Sequence, residues 1–209
     1  MSKSAFRTEQ DSLGSMQVPA DALYGAQTQR AIENFPVSGI PLPLRFIHAI
    51  LQIKQAAAEV NRDLELLKPG VARAIIQACD ELMQGEYRSQ FPIDVFQTGS
   101  GTSSNMNVNE VVANLASQSG EAVHPNDHVN MSQSSNDVIP SAIHLSAALA
   151  LEETLLPALR ELAETLDRRS EELQDVCKTG RTHLMDAMPI TFGQELSAWA
   201  SQVLALIHI

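Results

Sequence analysis

The sequence predicts a mainly α protein: an N-terminal helical domain with a short irregular or β-hairpin segment, followed by the first long helices of a central helical bundle. Three observations carry this reading. Only 4% of the 209 residues are aromatic, and Ala, Leu, Glu and Gln dominate, which favours helix over sheet. Apolar residues recur at helical spacing over several long stretches, with Pro and Gly at their ends. At 44% hydrophobic the chain has material for a real core. The expected division is 1–137 for the N-terminal domain and 138–209 for the start of the bundle.

Residues 4–40 read as irregular, with a turn at Leu13-Gly14 that suits a short hairpin and a Pro/Gly-rich exit, FPVSGIPLP. After Pro43 the residues Phe46, Ile47, Ile50, Leu51, Ile53, Ala57, Val60 and Leu64 fall near i, i+3, i+4, i+7 spacing and predict a helix. A second helix starts at Pro69, a residue suited to a first turn, and stops at Gly85; its inward face is Val71, Ile75, Ile76, Cys79, Leu82 and Met83. A polar loop, QTGSGTSSN, leads to a third helix over about Asn105–Ser119, with Val108, Val111, Val112 and Leu115 inward. The longest periodic run goes from Pro140 to about Cys177, with Pro157 placed to kink it. A polar loop, KTGRTHLMDAMP, then precedes a helix over Phe192–Ile209. The chain ends inside the apolar run ASQVLALIHI, which is expected for the N-terminal part of something longer.

A formal charge of −11 and the lack of any basic block argue against nucleic acid as a partner. No uninterrupted apolar run reaches the roughly 20 residues of a membrane span, and the N-terminus lacks the apolar middle of a secretory leader. No membrane partner and a cytoplasmic location are therefore expected. Cys79 and Cys177 stand far apart without metal spacing, and read as reduced, packed cysteines. Net acidity still leaves room for an anionic ligand, because exposed charges are screened beyond about 8 Å at physiological salt.

Three Ser/Thr/Asn-rich stretches each precede a predicted helix. Helix N-termini carry unpaired N–H groups and partial positive charge, and they bind carboxylates and phosphates. The alternative is that Ser103 or Ser104, Asn136 or Asp137, and Thr191 are plain N-caps. TGSGTSSN lacks the lysine of a nucleotide phosphate loop, so no nucleotide cofactor is expected. Its glycines would let backbone N–H groups and the Ser100 and Thr102 hydroxyls approach a small anion. His124 and His128 stand four apart, but Pro125 and Asn126 make a helix there improbable and no further ligand is evident, so no metal is expected. His183, in RTHLMD, is a candidate for proton transfer or an ordinary hydrogen-bonded histidine.

Four ordered segments together carry a resemblance: VPADALYGAQTQRAIENF (18–35), FQTGSGTSSNMNVNEVVAN (96–114), VHPNDHVNMSQSSNDVIPSAIH (123–144) and GRTHLMDAMPITFGQE (180–195). They resemble the class II fumarases of the aspartase/fumarase superfamily, from about Arg7 to the chain end. In aspartate ammonia-lyases the position of His183 is typically Gln and the loop matching SQSSND reads CQSTND. This chain is closer to the fumarases. The resemblance implies a fumarase-like helical fold, a hydro-lyase converting fumarate and malate in the tricarboxylic acid cycle, no cofactor, and a homotetramer for the full-length protein.

Residue by residue, the resemblance implies that Ser100, Gly101 and Thr102 contact one substrate carboxylate, and that Ser134, Ser135 and Asn136 contact the dicarboxylate from a second loop. Thr182 would bind substrate and His183 would move a proton, through a water. His124, Pro125, Asn126 and Asp127 match a second, non-catalytic dicarboxylate site. The chemistry fits neutral donors: the carbanion is stabilised as an aci-carboxylate, and fixed N–H and O–H groups stabilise its extra charge. The superfamily's GSSxMPxKxN loop, with the serine thought to act as carbon base, does not occur here, and the family builds each active site from three subunits. The 209-residue chain alone is expected to be inactive. A different superfamily lyase, such as an aspartate ammonia-lyase, and a non-catalytic helical interaction module are the competing readings.

Overall fold

A computed structural model describes residues 5–207. By contacts the chain divides into two compact units, one ending at Ser146 and one beginning at Ala147.

The first unit opens with the hairpin that the Leu13-Gly14 turn predicts. Strands β1 (Phe6–Asp11) and β2 (Gly14–Pro19) pair antiparallel, with Asp11 opposite Gly14. The two-residue turn places Gly14 at φ +122°, a region side chains rarely adopt. Arg7 ties the hairpin down, its guanidinium donating to the carbonyls of Pro19, Ala22 and Tyr24 at 2.9, 2.6 and 2.8 Å.

The expectation that residues 4–40 stay irregular is wrong for Ala26–Asn34, which forms α1. The residue before it, Gly25, has no side chain to cap it, so the signal was missing locally. The cap comes from 82 to 85 positions away: the Glu110 carboxylate accepts from the Gly25, Gln27 and Thr28 amides at 2.9, 2.9 and 3.0 Å and from the Thr28 hydroxyl at 2.6 Å. An anion at a helix N-terminus also complements the dipole. Glu110→Ala is expected to lower stability by about 3 kcal/mol, since it strands several buried donors at once. Chemical denaturation of wild type and variant measures it, and Glu110→Gln, which keeps one acceptor, should fall between them.

The core lies among α2 (Leu44–Asp63), α3 (Pro69–Gln84) and α4 (Thr102–Ser117). Pro69 begins α3 as predicted, where its missing N–H costs nothing. The inward valines of α4 are buried as expected, but so are Asn105, Asn107, Asn109 and Glu110, because α4 is enclosed on nearly every side. The α2 register departs from expectation at its end: Val60 and Leu64 are exposed. The buried stripe runs Ile47, Ile50, Leu51, Lys54, Ala58, Asn61, which keeps helical spacing but substitutes two polar residues for apolar ones. Cys79 is buried in this core, and burial holds its thiol well above the ordinary range. Cys177 is exposed, against the expectation of two packed cysteines.

Helix α5 (Ser135–Ala150) starts five residues before the predicted Pro140. It is followed by a π-helical turn, Leu151–Leu155, and by α6 (Leu156–Glu172). The wide turn sits just before Pro157, whose ring nitrogen cannot donate to the turn below it. The helical run Ser135–Glu172 has an 18-residue window of mean hydropathy 1.3, only 6% of it buried, so by length and composition alone it passes for a membrane span. The expectation of no such run counted uninterrupted apolar residues and missed the average. Ile143, Leu151, Leu155 and Leu162 on it are each about half exposed.

In the second unit, α6 and α7 (Phe192–Ile207) pack on each other, burying Ala163 and Ala200. Gly193 allows the approach: a Cβ there would meet the Ser170 carbonyl oxygen at 2.6 Å. Between the helices the predicted polar loop is in fact a hairpin, β3 (Cys177–Thr182) with β4 (Met185–Thr191). Few of its residues favour strands, so the ladder was not legible. The last two residues of the predicted Phe192–Ile209 helix lie outside the described residues.

Candidate functional site

Helix α4 begins at Thr102, three residues earlier than predicted, so the TGSGT stretch is itself the helix entrance. Gly101 is the N-cap residue, at φ +65°, and offers no side chain to the first turn. Instead Gln97 reaches in: its Oε1 accepts from the Ser104 amide at 3.1 Å, and its Nε2 donates to Ser104 Oγ at 2.8 Å. Neither Ser103 nor Ser104 is the N-cap, contrary to the capping expectation: both lie inside α4, and the Ser104 amide is itself capped by Gln97. The Ser100 and Thr102 hydroxyls are exposed and lie 3.0 Å from one another, free of any capping role.

The second loop enters α5 through Ser134, whose Oγ accepts from the Asn136 amide at 3.2 Å and whose carbonyl accepts from Asp137 and Val138. Ser134, not Asn136 or Asp137, is the cap, which leaves the Asn136 side chain exposed. Two contacts bring this loop to the first. A Cβ on Gly101 would meet the Ile139 side chain at 3.0 Å, and Asn105 Nδ2, on α4, donates to Ser135 Oγ at 3.0 Å. Ser100, Gly101, Thr102, Ser134, Ser135 and Asn136 therefore belong to one neighbourhood built on two helix entrances. Both entrances present positive potential and neutral donors.

Beneath them lies a residue that the periodicity hid. Lys54 is 0% exposed, and its Nζ donates to Asn105 Oδ1, Asn130 Oδ1 and Gln133 Oε1 at 2.8, 3.0 and 2.8 Å. Three acceptors match the three N–H bonds of an ammonium. Burial nevertheless pulls its pKa down to about 7. Between about pH 7 and 10.5 the unfolded chain holds a proton on Lys54 that the folded chain has released, so stability rises with pH over that window. Denaturant midpoints across this range are expected to rise in wild type, and Lys54→Met is expected to lack that part of the slope. Asn130 Oδ1 also accepts from Asn105 and Asn109, whose own Oδ1 is buried without a protein partner.

Pro125–Val129 forms a single π-helical turn, contrary to the expectation that Pro125 and Asn126 exclude helix there. Pro125 sits at the first position, where it is tolerated, and His124 is the cap: its Nδ1 accepts from the Asp127 amide at 3.1 Å. His128 Nδ1 in turn accepts from the His124 amide at 2.9 Å. Among the described residues, no group of three or more His, Cys, Asp and Glu is placed to hold a metal. His124, Pro125 and Asn126 line a cavity of about 420 Å³ whose other walls include Glu9, Asp11 and Glu110. Asp11 is paired with Arg30, which is the main reason its carboxyl lies below the usual range; Glu110 is satisfied by α1.

In the second unit, Thr182 and Met185 pair across the hairpin, so His183 and Leu184 are its two turn residues. Both have left-handed backbone, φ 52° and 61°, the geometry of a type I′ turn that Asn-Gly would fill with least strain. Side chains held in such a conformation cluster at functional sites. Thr182, His183 and Leu184 are exposed. Thr191 is a plain cap as the alternative reading held: its hydroxyl accepts from the Gln194 amide at 3.1 Å while Gln194 accepts from the Thr191 amide at 3.0 Å, a reciprocal capping box.

Comparison with known proteins agrees with this architecture. The Lyase family matches residues 14–206. A class II fumarate hydratase of Xylella fastidiosa is 56% identical over 201 residues, 96% of this chain and 42% of its own length. A second, from Pseudomonas aeruginosa, is 57% identical over 97% of this chain and 45% of its own. The crystal structure of recombinant class II fumarase from Schistosoma mansoni superimposes with a TM-score of 0.90 at 42% identity, over 97% of this chain and 44% of that one. The native fumarate lyase:delta crystallin of Brucella melitensis gives 0.88 at 44% identity. The chain spans less than half the length of these relatives, and on the family match, the sequence identity and the shared fold together it belongs to the Lyase family.

Proposed function

We propose that this chain supplies part of a class II fumarate hydratase, catalysing the reversible hydration of fumarate to L-malate. One observation carries the reading: the Ser100–Thr102 and Ser134–Asn136 turns, each at a helix entrance, are held together by the Asn105–Ser135 bond and the seating of Ile139 against Gly101. Neutral hydroxyls, amides and helix dipoles there suit a dicarboxylate and gain strength as the aci-carboxylate develops. Thr182 is read as a substrate contact and His183 as the group that moves a proton to or from the hydroxyl, directly or by water. His124, Pro125, Asn126 and Asp127 are read as a second dicarboxylate site. The exposed apolar face of α5 and α6 is read as bundle surface in a homotetramer, covered by protein and not by lipid.

The test is the loss of fumarate's ultraviolet absorbance with the full-length protein, set against ammonia release from aspartate. Hydration with no ammonia release supports the reading, and the reverse result assigns the chain to the ammonia-lyases. His183 and the SQSSND loop favour the first outcome.

A further inference from the structure

Nothing in the reading above uses Lys54, yet it is among the most deeply buried groups in the first unit. Burying an ammonium is costly unless it is paired or fully hydrogen-bonded. Here every partner is a neutral amide oxygen, and among the described residues no carboxylate lies within ion-pair distance of it. Its titratable neighbour, Cys79, is kept un-ionised by burial and gives no counter-charge. The three amides are not scattered. Gln133 immediately precedes the Ser134–Asn136 turn, Asn130 lies three residues before Gln133, and Asn105 donates onward to Ser135 Oγ. Gln133 also donates to the Val129 and Met131 carbonyls, and Ser132 is held at φ +60°, so the whole 129–135 segment is pinned around the ammonium. A chain does not need a buried cation to fix such a loop; an apolar residue with a rearranged amide network would cost less. What the cation adds, below about pH 7 where Lys54 holds its proton, is positive potential in a water-poor place, one hydrogen-bonded residue from hydroxyls suited to an anion.

We propose that Lys54 is a positioning residue for the dicarboxylate loop, its ammonium fixing Gln133–Ser135 through Asn105, Asn130 and Gln133 and setting an uncompensated positive charge behind the carboxylate-binding hydroxyls. The proposal rests on the dicarboxylate reading and deepens it: the loop's affinity for a dianion comes in part from a charge the ligand never touches.

The experiment compares full-length wild type, Lys54→Met and Gln133→Glu below about pH 7, where Lys54 is protonated, by amide hydrogen exchange over residues 129–136 and by steady-state kinetics with fumarate. Lys54→Met removes both contact and charge; Gln133→Glu keeps an oxygen at the contact and cancels the charge. Exchange over 129–136 is expected to quicken at least about tenfold in Lys54→Met, with α3 amides still protected. In both variants KM is expected to rise at least about tenfold with kcat changed by less than about threefold, since the charge favours bound substrate and transition state alike. Unchanged exchange in Lys54→Met, or unchanged KM in Gln133→Glu with the loop still protected, overturns the proposal. If Lys54→Met loses α3 protection and has simply unfolded, Gln133→Glu decides. A wild type that does not turn over fumarate sinks the hydratase reading, while exchange over 129–136 still decides whether Lys54 holds the loop.

Discussion

His183→Asn is expected to lower fumarate hydration by the full-length protein by about 10² to 10⁴-fold, the usual contribution of a general acid or base, while its thermal midpoint stays level. The two halves of this result come from different features. His183 is exposed in a turn, so its imidazole contributes little packing that a smaller residue would forfeit. Its backbone sits at φ 52°, a left-handed conformation that asparagine, like histidine, adopts more readily than most side chains. A residue that keeps the turn while removing the imidazole at its tip separates function from stability. Steady-state rates and thermal melts on one pair of proteins check both. A variant that keeps wild-type turnover would show that the proton is moved elsewhere.

Gly101→Ala is expected to destabilise the first unit by about 2 to 4 kcal/mol, summing a left-handed residue's cost of about 1–2 kcal/mol and about 1–2 kcal/mol of crowding. The second part has a named source, the Ile139 side chain 3.0 Å from the added methyl. Because Gly101 sets the direction of the Ser100 and Thr102 hydroxyls, KM should rise along with the loss of stability. The two contributions separate in a double-mutant cycle. Ile139→Ala opens the space and should recover the crowding part, leaving the backbone part in place. Full recovery would mean that the left-handed conformation costs nothing here, and no recovery would mean that Ile139 yields freely.

How much of this was legible beforehand depends on where each signal sat. The α3 start at Pro69, the inward valines of α4 and the first hairpin's turn are local matters of propensity and spacing, and the chain states them openly. The candidate hydroxyls were found because their loops are dense in donors and precede helices. Long-range polar partners stayed hidden. Helix α1 depends on Glu110, more than 80 residues away, so no window around Gly25 reports it. Lys54 and Asn61 occupy the buried stripe of α2, and a search for apolar periodicity reads them as breaks and shifts the face toward Val60 and Leu64. The β3–β4 segment reads as a loop because its strand propensity is weak, and its His183-Leu184 turn lacks the Asn-Gly that such turns prefer. Each miss is a tertiary effect overriding a local one.

The central claim is that two helix-entrance turns converge on one diacid. It is tested most directly by a crystal structure of the full-length protein with succinate, an unreactive four-carbon dicarboxylate. The prediction is a carboxylate within hydrogen-bonding distance of the Thr102 hydroxyl, with Ser135 or Asn136 donating to the same molecule. Succinate seated elsewhere, with both turns solvated, would contradict it.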